Sequence, residues 1–209
     1  MKYDFHIREK EDLIRAVNDL GFLPFFQNSI EGFSIEEHVD PKIWFGDIEG
    51  PWEWKGPVIR ELGCAYGKFF EKKAAYISRK WFPDFANYRR NGYDFDARFD
   101  DELASYQDKK LFDLVDANAP LLSKELKKLG NYRKGGNKGF DTIITRLQSQ
   151  CYVIISDAGI LFRQITVSAV CFADAQGTFF KQLIFLSAVG RFPGIRNESA
   201  RTDHQSGIF

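Results

Sequence analysis

The chain has 209 residues and a mass of 24.1 kDa, and with 44% hydrophobic and 16% aromatic residues it can bury a core for one large domain or two small ones. Its 29 basic and 29 acidic side chains cancel, which excludes attraction to polyanions through overall charge and leaves only local segregation to supply it. The N-terminus has no signal-peptide stretch and no window nears the ~18 apolar residues of a membrane helix, so a soluble, cytoplasmic protein without a membrane partner is expected.

In chain order, Glu9 to Leu20 reads as an amphipathic helix with Leu13, Ile14, Val17 and Leu20 inward and Gly21 at its stop. The stretch Gly21 to Phe26 should be buried. An irregular acidic and aromatic region comes next: residues 31–53 carry seven acidic side chains against Lys42, and Trp44, Trp52 and Trp54 stand among prolines and glycines. Rings so placed are expected to pin the loop onto a core, the alternative being stacking on a displaced base. Val58 to Leu62 and Lys68 to Trp81 supply helix and strand material. Residues 68–90 form a basic block of Lys68, Lys72, Lys73, Arg79, Lys80, Arg89 and Arg90 against Glu71 and Asp84. The acidic string Asp94, Asp96, Asp100, Asp101 and Glu102 lacks the glycine and terminal glutamate of a calcium loop, so it reads as a solvated linker and no metal is expected.

Residues 108–156 have the order of a winged helix. Leu111, Phe112 and Val115 recur at helical spacing and Ala119-Pro120 ends that helix. Ser123 is placed to cap a second helix with Leu122, Leu126 and Leu129 as its buried stripe, and Gly130 stops it. After the basic glycine-rich turn 131–139, Phe140, Ile143, Ile144 and Leu147 face inward on a third helix, leaving Thr142, Thr145, Arg146 and Ser149 outside. Cys151 to Ile155 then suits a strand. Residues 124–146 hold seven basic side chains against Glu125 and Asp141, a second basic block. Double-stranded DNA is the expected partner, with Arg133, Lys134 and Lys138 on phosphates and Thr142, Arg146 and Ser149 near the groove.

The expected fold class is α+β: an N-terminal helical and aromatic region (1–105) packed on a winged-helix unit (106–157), with an atypical extension (158–209). The extension holds no tryptophan or tyrosine and only eight charged side chains. A reading-frame shift near codon 157 would account for that break, and so would a divergent extension pairing one or two strands with the wing and disordered from about Asn197. Cys64, Cys151 and Cys171 are too widely spaced for a metal clip, and His6, His38 and His204 lie near none of them, which speaks against a Cys/His nucleophile. No cofactor is expected.

Three segments carry a family resemblance: Leu20 to Phe26, Ala65 to Arg90, and Phe140 to Asp157. Over residues 9–157 the chain resembles the AlkZ-related (YcaQ-like) winged-helix DNA glycosylases, which excise alkylated or crosslinked bases. In that family the leucine-glycine stretch leads into a Gln-x-Gln or Gln-x-Asp motif whose polar ends serve cleavage, and here those positions are Pro24 and Phe26. Neither can accept a proton or orient water. Gln27, one residue on, could substitute only through a register change. Gln148-Ser-Gln150 repeats the motif letters in the third helix, where groove-facing or capping amides are the expectation. The resemblance therefore implies a DNA binder of the glycosylase lineage, acting in repair, with its catalytic motif lost and its catalytic residues unassigned. A winged-helix regulator or protein-interaction module is the alternative.

Overall fold

A computed structural model describes residues 5–46 and 48–157, and beyond them the backbone of three strands between residues 161 and 186. The fold is mixed α+β. Helix α1 (Lys10–Leu20) buries Leu13 and Val17 completely, with Ile14 and Leu20 packed at the edge of the same cluster. Its first turn is held by the Asp12 carboxylate, which accepts from the amides of Arg8 and Glu9. Gly21 ends it at φ 77°, and a Cβ there would stand 2.4 Å from the Trp81 ring, so glycine is required twice over.

Strand β1 (Phe22–Pro24) comes next, with Pro24 on a sheet edge where its missing amide costs no ladder bond. The region expected to be irregular instead contains a 3-10 turn (Glu36–His38) and helices α2 (Pro41–Phe45) and α3 (Pro51–Leu62). Both helices start on proline, whose fixed φ suits the first helical position. Trp44 and Trp54 are buried, and Trp44 and Trp52 stand 5.2 Å and 4.9 Å from the fully buried Phe25 ring, so the tryptophans do pin this segment.

Strands β2 (Ala65–Phe70) and β3 (Lys73–Ile77) form a hairpin, and α4 (Phe82–Arg90) covers it through Phe82 and Ala86. The acidic string is not a bare linker: Asp94 caps helix α5 (Phe95–Asp100), Asp96 pairs with Lys109, and Asp101 accepts from the Tyr93 hydroxyl. Helix α6 (Tyr106–Asn118) then opens on a Ser105/Asp108 capping box and buries Leu111, Phe112 and Val115 as the spacing predicts.

After strand β4 (Leu121–Leu122), helix α7 (Ser123–Leu129) corrects two expectations. Ser123 is its first residue and not its cap, the capping bond running from the Leu122 amide to the Glu125 carboxylate at 2.9 Å. Only Leu126 is buried; Leu122 and Leu129 are exposed, because seven residues present one inward position. Helix α8 (Phe140–Ser149) buries Phe140, Ile143, Ile144 and Leu147 against α6 and α7, and β5 (Val153–Asp157) starts two residues later than expected because Cys151 turns the chain at φ 63°.

Strand β6 (Leu161–Gln164) pairs with β5 and β4, and β7 (Thr166–Ala173) pairs with β8 (Phe179–Leu186). One antiparallel sheet of order β1-β3-β2-β5-β6-β4 thus runs through both halves of the chain. Its midpoint is the Tyr66↔Ile155 pairing, and Ile155 packs against the cores on either side. The expected disorder from Asn197 lies outside the described residues.

Candidate nucleic-acid interface

The glycine-rich turn between α7 and α8 is a built loop. The Asn131 carbonyl accepts from the amides of Arg133 and Asn137 at 3.1 Å and 2.8 Å, its side chain accepts from Arg133 Nε at 2.7 Å, and the Asn137 side chain donates to the Gly130 carbonyl at 2.7 Å. A Cβ on Gly136 would fall 2.2 Å from the Asn131 carbonyl oxygen, so only glycine closes the turn. Arg133, Lys134 and Lys138 are all exposed on it, and it delivers the chain to the first turn of α8.

Beside that turn lies a cavity of about 230 Å³ lined by Lys127, Tyr132, Arg133, Asn137, Phe140 and Asp141. Lys127 Nζ stands 4.7 Å from the Phe140 ring and 3.2 Å from Asp141, so one cation is already engaged by a carboxylate. Lys127, Asn131 and Asn137 are site residues that sequence reasoning misses. The signal available for the asparagines is their position flanking Gly135-Gly136, where short amides hold turns.

Along α8 the predicted residues separate. Thr142 is exposed at the N-terminal end. Arg146 instead grips Asp108 of α6: its Nε lies 2.9 Å from Asp108 Oδ1, while Oδ2 accepts the Ser105 amide and hydroxyl. Ser149 donates to the Lys68 carbonyl on β2 at 2.8 Å. Thr145 and Gln148, on the face expected to point outward, are buried against the same strand, with Lys68 Nζ 3.3 Å from Thr145 Oγ1 and the Lys68 amide donating to Gln148 Oε1 at 3.0 Å. The outward polar face is therefore fully open only at the first turn: further along, Thr145 and Gln148 are buried against β2, and Arg146, its side chain 40% exposed, is held by Asp108. Gln148 neither faces a groove nor caps a helix: it satisfies a strand amide.

The two basic blocks meet at this seam without making one uniform surface. Lys68 reaches α8, but Arg89 donates to the Phe69 carbonyl at 2.8 Å and Arg90 to the Cys151 carbonyl, binding α4 to the sheet and to the end of α8. Burial pushes the thiols of Cys64 and Cys151 up to about 12, far from nucleophilic at neutral pH. Among the described residues no group of three or more His, Cys, Asp or Glu stands ready for a metal, and no helix is long and apolar enough to cross a membrane.

Of the two residues that the resemblance sets at a cleavage motif, Pro24 is buried opposite Ala75, and the Phe26 ring packs against Trp44 and Trp52. Gln27 is exposed, with its amide on the Glu36 carboxylate and its carbonyl on Lys73 Nζ. Bringing it inward by a one-turn register change would disturb Leu23 and Phe25, both fully buried, and would break the bonds that hold Gln27 to Glu36 and Lys73. No curated protein and no solved structure matches the chain. The family model described as AlkZ related matches residues 7–160, and the chain belongs to that family.

Proposed function

We propose that this AlkZ-related protein is a duplex-DNA binder of the glycosylase lineage, serving DNA repair without base excision of its own. The unit α6, β4, α7, α8, β5, β6, with strand order β4-β6-β5, supports reading it as a winged helix. The observation that carries the DNA reading is the hydrogen-bonded turn presenting Arg133, Lys134 and Lys138 beside the positive end of the α8 macrodipole. These cations hold phosphates, and Thr142 approaches the groove. Arg146 and Ser149 serve as positioning residues, fixing α8 to α6 and to β2. The loss of excision rests on Pro24 and Phe26, which offer no proton acceptor.

Gel-shift titration over salt tests this. Three phosphate contacts give a log–log slope of about −3, and Lys134→Ala with Lys138→Ala should reduce it by about 2. Absence of any shift at low salt would replace the DNA reading with a protein-interaction module. Incubation with alkylated duplex followed by alkali should yield no strand breaks.

A further inference from the structure

Along α4 the residues Trp81, Phe85 and Tyr88 are spaced by four and three, and so share one face. Phe85 is half-buried, its ring 5.7 Å from Phe22 and 5.3 Å from Phe70, which makes an aromatic floor. Trp81 lies 5.8 Å from Phe22 with 45% of its surface exposed, and Tyr88 is 80% exposed. Cations are interleaved with these rings: Lys80 Nζ stands 5.9 Å from the Trp81 ring, the Arg89 guanidinium is 5.0 Å from the Phe85 ring, and Arg79 is exposed beside them.

A purely apolar strip would suit another protein's side chains. Rings alternating with cations suit a polymer that offers flat π-faces and anionic links at short intervals. In a duplex those faces are already stacked on one another, so the complementary ligand is single-stranded. We propose that α4 is a stacking platform for a single-stranded nucleic-acid segment, with bases on Trp81 and Tyr88 and a phosphate on Lys80. Seven residues of helical rise set the backbone positions of Trp81, the cap of α4, and Tyr88 about 10 Å apart along the axis, room for one further base between them over Phe85. The strip uses none of the residues assigned to duplex contact.

Fluorescence anisotropy with a labelled thymidine oligomer of about 15 nucleotides tests it. Tyr88→Ala and Trp81→Ala should each weaken binding roughly 5- to 150-fold, whereas Tyr88→Phe and Trp81→Phe should bind nearly as the parent does. Competition by inorganic polyphosphate should be equal for Tyr88→Ala and the parent if stacking, and not charge, is what the ring supplies. Tyr88 is so exposed that its truncation leaves the core intact, which thermal unfolding would verify. Alanine variants that bind the oligomer like the parent, or a parent that ignores it at low salt, overturn the platform. Duplex binding without oligomer binding leaves the glycine-rich turn standing and removes α4; the reverse result does the opposite.

Discussion

Replacing Arg146 by alanine separates a structural role from a DNA-contacting one. The Asp108 side chain is 7% exposed; its Oδ1 accepts from Arg146, whereas Oδ2 keeps both Ser105 bonds. Truncation leaves a buried carboxylate oxygen without its charged donor. Removing one partner of a fully buried pair costs about 3–5 kcal/mol, but the Arg146 side chain is 40% exposed, so water can replace part of it and about 2–3 kcal/mol is the expected loss. For a chain of this size that lowers Tm by about 4–12 °C. Arg146→Ala should therefore unfold at lower urea with an unchanged slope, and adding Asp108→Asn should recover part of the loss because the charge is gone. DNA affinity, measured where both proteins are folded, should change little. An unaltered midpoint together with a tenfold weaker duplex complex would falsify the structural assignment and return Arg146 to the groove.

Gln148→Ala should cost about 1–3 kcal/mol, since the Lys68 amide loses the side-chain oxygen that satisfies it, and urea denaturation reads this directly. At pH 8, peptide mapping after iodoacetamide should find Cys64 and Cys151 protected in the folded protein: a rise from 9.0 to about 12 leaves roughly a thousandfold less thiolate. Because the folded state holds these protons more tightly than the unfolded state, stability should be intact below pH 9 and fall as pH rises toward 12, by up to about 4 kcal/mol per thiol. Cys64→Ala or Cys151→Ala should flatten that fall; an equally steep alkaline loss in both variants would contradict it.

Helices with a clean apolar period are legible in the sequence, because one face has one place to go. Leu13 and Val17 of α1, and Phe140, Ile143, Ile144 and Leu147 of α8, are all buried. Prolines set among glycines and tryptophans suggest an irregular region, yet Pro41 and Pro51 initiate α2 and α3; a proline that breaks a helix and one that starts it differ only in the residues downstream. The exposed cations of the glycine-rich turn can be found from local charge. The engagement of Arg146, Thr145 and Ser149 cannot, since their partners Asp108 and Lys68 lie 38 to 81 positions away and reach them only through the shared sheet and helix packing.

That long-range packing also explains why a helix with a polar outer face need not be a groove-reading helix. Polarity on α8 has two physical uses, split along its length. Near its start, Thr142 and the turn before it face solvent beside exposed cations, where an anion would be welcomed. Near its end, Thr145, Gln148 and Ser149 sit against β2 at Lys68, whose amide and carbonyl bond to Gln148 and Ser149, so that each of these two side chains supplies what a neighbouring strand would have supplied. The same seam joins the sheet of the N-terminal half to the helices α6 to α8, so Gln148 and Ser149, within the stretch that resembles a cleavage motif in letters, fix the end of the helix whose start carries the proposed binding turn.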